Sequence, residues 1–307
     1  MRKPRALRRG DRIAIVAPAS PFSRQEFDAG IGELRALGFE PVYRDDVFAR
    51  EGYLAGSAEL RAEALRAVWR DPSIAAVVAA RGGYGSVQLL PLLDANEMRS
   101  SVKPFIGYSD NTSLLTWLTQ QCDMVAFHGP MVEGRFAKGT DGYDRDTFER
   151  CLCRAEPVGE ITHPQLETVA SGEAAGVLTG GTLTQLAGSL GTPFAFCPPA
   201  GCVLFLDEVA ERPYRIDRLL VQLRFAGILA RASAIVFGEL PRCDEPGGSE
   251  TARAMVQSVL KEFRGPILYG LPSGHTNGAT ITLPFGVRAR VVAGPRPAVI
   301  VEEASVS

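Results

Sequence analysis

Short apolar runs of strand length alternate with stretches of helical spacing from residue 11 to about residue 130, and this alternation restricts the fold more than any other feature. Residues 12–17 form a β-rich run. Residues 24–37 carry helical spacing closed by Gly38, and residues 40–43 read as a strand. Ser57 is placed to cap a helix whose apolar positions Leu60, Ala64, Leu65 and Val68 repeat until Asp71-Pro72 breaks it. Residues 74–79 are apolar on both faces of a strand, Gly82-Gly83 makes a turn, and residues 87–93 form a short helix. A strand over 103–107 and a helix after Ser109 complete the series. Repeated βα units predict a parallel sheet covered by helices on both faces. The sites of such sheets lie at the carboxyl ends of the strands, where both Gly82-Gly83 and Ser109 fall.

Between residues 154 and 175 the periodicity weakens, with Pro157, Gly159, Pro164 and Gly172 among polar residues, and the segment reads as a linker. Beyond it, strands are expected over 202–206, 234–237, 280–283, 289–292 and 298–301, with helices over 183–190, 213–226 and 249–263. The expected fold class is therefore α/β: a parallel-sheet domain over 1–153, a linker over 154–175, and a strand-rich mixed α/β domain over 176–307. A chain of 307 residues with 46% apolar content is long enough for two such cores.

The formal charge of −2 is spread over interleaved Arg and Glu, and a basic cluster occurs only at Arg2-Lys3-Pro4-Arg5 and Arg8-Arg9, so nucleic acid is not an expected partner. Gly10-Asp11-Arg12 follows that cluster without the apolar stretch of a signal peptide, and apolar runs such as 74–80 are too short to span a bilayer. The expectation is a cytoplasmic protein with no membrane partner. Its six cysteines include no Cys-x-x-Cys pair and no His at zinc-ligand spacing, so no metal or cofactor is expected.

Gly107-Tyr108-Ser109 ends an apolar strand and opens a helix, the setting of a nucleophile elbow, although Asp110-Asn111 stand where that motif has a second glycine. The competing reading makes Ser109 an N-cap for the helix through Trp117 and Leu118. A serine nucleophile needs a base, and there are three histidines. His275 lies in a glycine-flanked loop that exposes a side chain; His128 follows an apolar strand and reads as packed; His163 falls in the linker. For the acid, the apolar run 202–206 delivers Asp207 and Glu208 at its end, and adjacent strand-end carboxylates point in different directions. Capping of the helix near Pro213, or exposure to solvent, is the alternative use for that pair.

Arg81-Gly82-Gly83-Tyr84-Gly85-Ser86, Gly107-Tyr108-Ser109-Asp110, His128-Gly129-Pro130, Leu204-Phe205-Leu206-Asp207-Glu208, Glu211-Arg212-Pro213-Tyr214-Arg215 and Gly274-His275-Thr276 occur in an order that resembles the serine LD-carboxypeptidases and the related microcin self-immunity peptidases. The resemblance covers nearly the whole chain. It implies an N-terminal Rossmann-like domain, a strand-rich C-terminal domain, and a Ser-His-Glu triad. On that pattern Ser109 is the nucleophile, His275 the general base, and the backbone amides of Gly83 and Asp110 the oxyanion hole. The family's glutamate falls on Asp207, with Glu208 next to it, and both remain candidates; Glu211 is expected to orient the following helix.

The implied substrate is a small peptide, a muropeptide that loses its terminal D-alanine, and only the resemblance suggests a homodimer. Arg81, preceding the glycine turn, is a candidate grip for the substrate's terminal carboxylate, with an ion pair to Asp110 or Asp94 as its alternative. Two other readings stand beside this one. The first is a microcin-type peptidase that cuts an aminoacyl-nucleotide amide, for which Trp69 and Trp117 on predicted helices offer no obvious stacking residue. The second is a two-domain ligand-binding protein without catalysis.

Overall fold

Caps and breakers start and stop the elements of the first half much as the spacing predicts. In the computed structural model, which describes residues 1–307, β1 (Arg12–Val16) is followed by α1 (Arg24–Ala36), whose cap Ser23 accepts a bond from the Glu26 N–H. After β2 (Glu40–Val42) comes α2 (Ala58–Arg70), where the Ser57 Oγ accepts from the Leu60 N–H at 3.2 Å. Asp71 ends that helix one residue before Pro72. β3 (Ile74–Ala79) is buried along its whole length. The expected helix over 87–93 is a 3-10 segment, Ser86–Leu92, and a short α3 (Ala95–Arg99) follows it. β4 (Phe105–Gly107) leads through a 3-10 turn into α4 (Thr112–Cys122), then β5 (Ala126–His128) and α5 (Arg145–Cys153).

The chain divides into two compact units, 1–156 with 278–286 and 304–307, and 157–277 with 287–303. The linker expected over 154–175 is corrected, since β6 (Pro157–Ile161), β7 (Glu167–Ala170) and the start of β8 (Gly172–Thr182) occupy it, and so is the unbroken second domain expected over 176–307, since 278–286 and 304–307 belong to the first unit. β6 and β7 are the two edges of the second unit's sheet. An edge strand keeps one row of backbone groups unpaired, so it tolerates the Pro, Gly and polar residues that read as linker.

The second unit continues with α6 (Leu183–Ser189), β9 (Cys202–Asp207), α7 (Pro213–Phe225), β10 (Ala232–Gly238), α8 (Ala252–Val259) and β11 (Ile267–Leu271). The strand expected over 280–283 is β12 (Leu283–Phe285), and it pairs antiparallel with β5 in the first unit. β13 (Arg288–Ala293) and β14 (Ala298–Ala304) return to the second sheet.

The first sheet runs β12-β5-β4-β3-β1-β2, parallel apart from β12, so the loops after β1, β3 and β4 leave the same edge from adjacent strands. The second runs β6-β14-β13-β8-β9-β10-β11-β7, with β8 to β11 parallel at its centre. Leu204 and Leu206 of β9, Ile235 and Phe237 of β10, and Ile216, Leu220 and Leu223 of α7 belong to one buried cluster. Both tryptophans are core residues of the first unit, Trp69 donating to the Met98 carbonyl. No helix is long and apolar enough to cross a membrane.

Backbone packing in the second unit generates a stability prediction. Gly180 of β8 has φ of 139° and pairs with Phe205, and a Cβ there would collide with the Phe205 carbonyl. Gly180→Ala should lower the midpoint of thermal unfolding by roughly 5 °C or more. An unchanged midpoint would show that the two strands separate without cost.

Candidate active site

Ser109 is held in a conformation that a residue with a Cβ adopts only under constraint. β4 ends in Gly107, Tyr108 is extended, and Ser109 turns into the left-handed region with φ of 63°. Such a conformation costs on the order of 1 kcal/mol or more and gathers at functional sites. The N-cap reading of Ser109 is corrected: the residue preceding α4 is Asn111, with no side-chain cap bond, and Ser109 opens the 3-10 turn before it. The strand-to-helix path is that of an elbow, and the Asp110 amide lies at the start of the helical stretch.

The turn after β3 packs directly on this serine. A Cβ on Gly82 would lie 2.9 Å from the Ser109 Cβ and 3.1 Å from its Oγ. Gly83 has φ of 98°, and any side chain there would collide with Ser20 in the loop after β1. Ser20 also holds the turn, its N–H donating to the Gly82 carbonyl and its Oγ accepting from the Tyr84 N–H. Both glycines are thus required by close approach and backbone conformation, which brings Gly82-Gly83, Ser109 and Asp110 into one assembly. Asn111 adds a bridge, its Nδ2 donating to the carbonyls of Arg81 and Tyr108 at 3.2 Å each.

Asp110 is almost fully buried; burial pushes its carboxyl above the ordinary carboxylate range, opposed by bonds from Ser86 and Gly85 and by the Arg61 charge. Arg81 does make an ion pair with an acid, the alternative expected for it, but the partner is Glu133 and not Asp110 or Asp94. Its Nε lies 3.0 Å from Glu133 and its Nη1 donates to the Pro21 carbonyl at 2.8 Å, with the side chain 44% exposed. His128 is fully buried between the rings of Tyr108 and Phe285, as its position after an apolar strand predicts. His163 lies outside both arrangements, its Nδ1 accepting from the Gln165 N–H.

In the second unit β9 separates the two candidate acids. Asp207 is 0% exposed, and its Oδ2 lies 2.7 Å from the His275 Nδ1. The His275 backbone N–H donates to the same carboxylate at 3.2 and 3.3 Å. A carboxylate only accepts, so Nδ1 carries the proton, and in the neutral imidazole this leaves the lone pair on Nε2, the tautomer that a general base needs. Glu208 turns the other way. Its Oε2 accepts from the Thr184 N–H at 2.9 Å and the Thr184 Oγ at 2.5 Å, and its Oε1 from the Val209 N–H at 2.9 Å. Thr184 is in the first turn of α6, so Glu208 caps that helix and does not touch the imidazole. Neither carboxylate caps α7, which opens at Pro213 after Arg212, and Glu211 pairs with Arg215 within its first turn. No group of three or more His, Cys, Asp or Glu side chains is arranged to hold a metal ion.

The residues that sequence reasoning missed are Ser20, Asn111, Arg61 and Ser86. All act by bonding backbone groups, and no spacing rule marks a residue whose partner is a carbonyl far along the chain. The buried face of α2 is not set by its apolar repeat alone. Arg61, Ala62, Leu65 and Trp69 are its buried positions, whereas Leu60, Ala64 and Val68 are half-buried.

The family model described as the LD-carboxypeptidase N-terminal domain matches residues 13–129, and that of the LD-carboxypeptidase C-terminal domain matches 175–291. A probable murein peptide carboxypeptidase of Bacillus subtilis is 33% identical over 99% of this chain and 95% of its own. The crystal structure of muramoyltetrapeptide carboxypeptidase from Oxalobacter formigenes superposes with a TM-score of 0.83 at 29% identity, covering 94% of this chain and 97% of that one. The microcin C7 self-immunity protein MccF shares the fold, with a TM-score of 0.91 at 24% identity and full coverage of both chains.

Glu208 generates a prediction with a definite sign. Burial raises its carboxyl above the ordinary 4.5, against the bonds from Thr184 and Val209. A carboxyl whose folded value exceeds its unfolded value contributes stability below the unfolded value, and that contribution is lost as pH rises through the folded one. Relative to Glu208→Gln, which cannot titrate, the wild-type protein should therefore lose thermal stability as pH rises from about 4.5. A pH-independent difference between the two unfolding midpoints would contradict this.

Proposed function

This chain belongs to the LD-carboxypeptidase family, and from that premise we propose that it is a serine carboxypeptidase that releases the terminal D-alanine of muropeptides. The scissile bond is the amide between the L-centre of a diamino acid and D-alanine. The observation that carries the reading is the left-handed Ser109 at the mouth of α4, with the Gly82-Gly83 turn against its side chain. A murein tetrapeptide carboxypeptidase of Pseudomonas aeruginosa, 32% identical over 86% of this chain, supports the substrate class. The proposed setting is peptidoglycan recycling in the cytoplasm.

In the proposed mechanism the Ser109 Oγ attacks the scissile carbonyl while the His275 Nε2 takes its proton. The backbone amides of Gly83 and Asp110 donate to the oxyanion, and Asp207 keeps the imidazole in the required tautomer and stabilises its charged form. Collapse breaks the C–N bond, and the imidazolium gives its proton to the departing D-alanine amine. Water, deprotonated by His275, then attacks the acyl ester; the C–O bond to Ser109 breaks, the imidazolium returns the proton to the Ser109 Oγ, and the shortened peptide leaves as its carboxylate. Arg81 is proposed to meet the substrate's terminal carboxylate with its Nη2 end, since Nε and Nη1 are held by Glu133 and Pro21. The peptide reading is favoured over an aminoacyl-nucleotide substrate because the murein peptide carboxypeptidases are 32–33% identical to this chain and the microcin C7 self-immunity protein 26%.

The deciding experiment incubates purified protein with a disaccharide tetrapeptide and follows D-alanine by mass. Ser109→Ala and His275→Ala should each reduce release by roughly a thousandfold or more while remaining folded. Labelling of Ser109 by a fluorophosphonate would exclude a non-catalytic binding protein. Near-normal release by either folded variant would refute the assignment.

The two acids should part company. Asp207→Asn is expected to cripple turnover, and Glu208→Gln to alter stability more than rate. Equal small effects on rate would mean that another group orients the base. For Arg81, amidating the terminal D-alanine should weaken capture by the wild-type protein about as much as Arg81→Lys weakens capture of the free acid. An amide cleaved as well as the acid would overturn the carboxypeptidase label.

A further inference from the structure

The peptide group that joins Gly85 to Ser86 lies between two buried, opposite charges. Its carbonyl accepts from the Arg61 Nη1 at 2.8 Å, and its N–H donates to the Asp110 Oδ2 at 2.7 Å. Arg61 is 3% exposed and Asp110 1%. Arg61 is itself fixed by the carbonyls of Gly56 and Pro18 and by the Gln88 side chain, so its charge cannot turn away. A second bond runs the other way between the same residues: the Ser86 Oγ donates to the Asp110 carbonyl at 2.6 Å. Residue 110 is therefore held through both its carboxylate and its carbonyl.

This arrangement has a cost that a purely structural turn would not need. Burying a guanidinium and a carboxylate is expensive, and an apolar pair of similar volume often stabilises a fold as well. The segment they hold, Gly82-Gly83-Tyr84-Gly85, contains three glycines, two of them at φ of 98° and 128°, and has little stiffness of its own. An oxyanion hole needs the opposite property, because a donor contributes fully only when it is already aimed at the position the oxyanion will take.

Building on the proposed role of Ser109, we propose that Arg61, Ser86 and the Asp110 side chain are positioning residues that clamp the glycine turn to the elbow. The clamp fixes the spacing and direction of the Gly83 and Asp110 amides before substrate arrives. It acts on the transition state and leaves ground-state binding of the peptide unchanged.

The test measures kcat, KM and thermal stability for the full chain with Ser86→Ala, Asp110→Asn and the double variant, using a disaccharide tetrapeptide. It also measures the Ki of a tetrapeptide analogue with a phosphonate at the scissile position. Each single variant should lower kcat by on the order of tenfold or more, with KM within about twofold, and weaken the phosphonate by the same factor as kcat. The double variant should lose little more than Asp110→Asn alone, because both bonds act through one turn. Ser86→Ala removes a single hydroxyl, so it decides the matter if Asp110→Asn does not fold. Wild-type kcat in folded variants, or losses confined to KM or stability, would overturn the clamp. Failure of the wild-type protein to release D-alanine would instead overturn the proposed substrate, and full activity in Ser109→Ala the serine mechanism on which the clamp rests.

Discussion

Burial of parallel strands on both faces is the constraint from which the rest follows. β3 and β9 have no solvent-facing side, so neither can carry a polar side chain along its length. Chemistry is pushed to the ends, where backbone amides lose their ladder partners and side chains can turn outward. In the first unit that edge supplies the glycine turn after β3 and Ser109 after β4. In the second it supplies Asp207, the last residue of β9.

Placing carboxylates at such edges buries them, and each of the three accepts hydrogen bonds. Asp207 accepts from both the ring and the backbone of His275, and Glu208 satisfies the first turn of α6. Asp110 accepts from Ser86 and faces the Arg61 charge. An unmatched buried carboxylate would protonate or force the loop open, so these bonds keep the strand-end loops in one conformation. The same logic separates the two adjacent acids: one meets an imidazole, the other the start of a helix.

The legible parts of the sequence were those where one residue type does one job. Ser57 before a helical repeat, Gly38 after one, and the unbroken apolar stretch of β3 each have a local cause, and the elements fall where those causes put them. The strands at 157–161 and 167–170 were not legible, because an edge strand with Pro and Gly lacks the apolar alternation that marks a strand. Arg61 was hidden for another reason: helical periodicity counts apolar residues, and this arginine is buried by hydrogen bonds to carbonyls.

Legible in the sequence alone were the α/β fold class, the strand-to-helix turn at Ser109 and the pair of acids at a strand end, but not the bounds of the two units. Which of the two meets an imidazole, and where the backbone is strained, came from contacts between distant segments. That Asp207 meets His275 depends on where a loop 68 residues later in the chain returns. That Ser109 adopts a left-handed backbone depends on the Gly82 turn packed against it. Both are contacts between segments distant in the chain, and local propensity carries no information about which distant group will arrive to complete a bond.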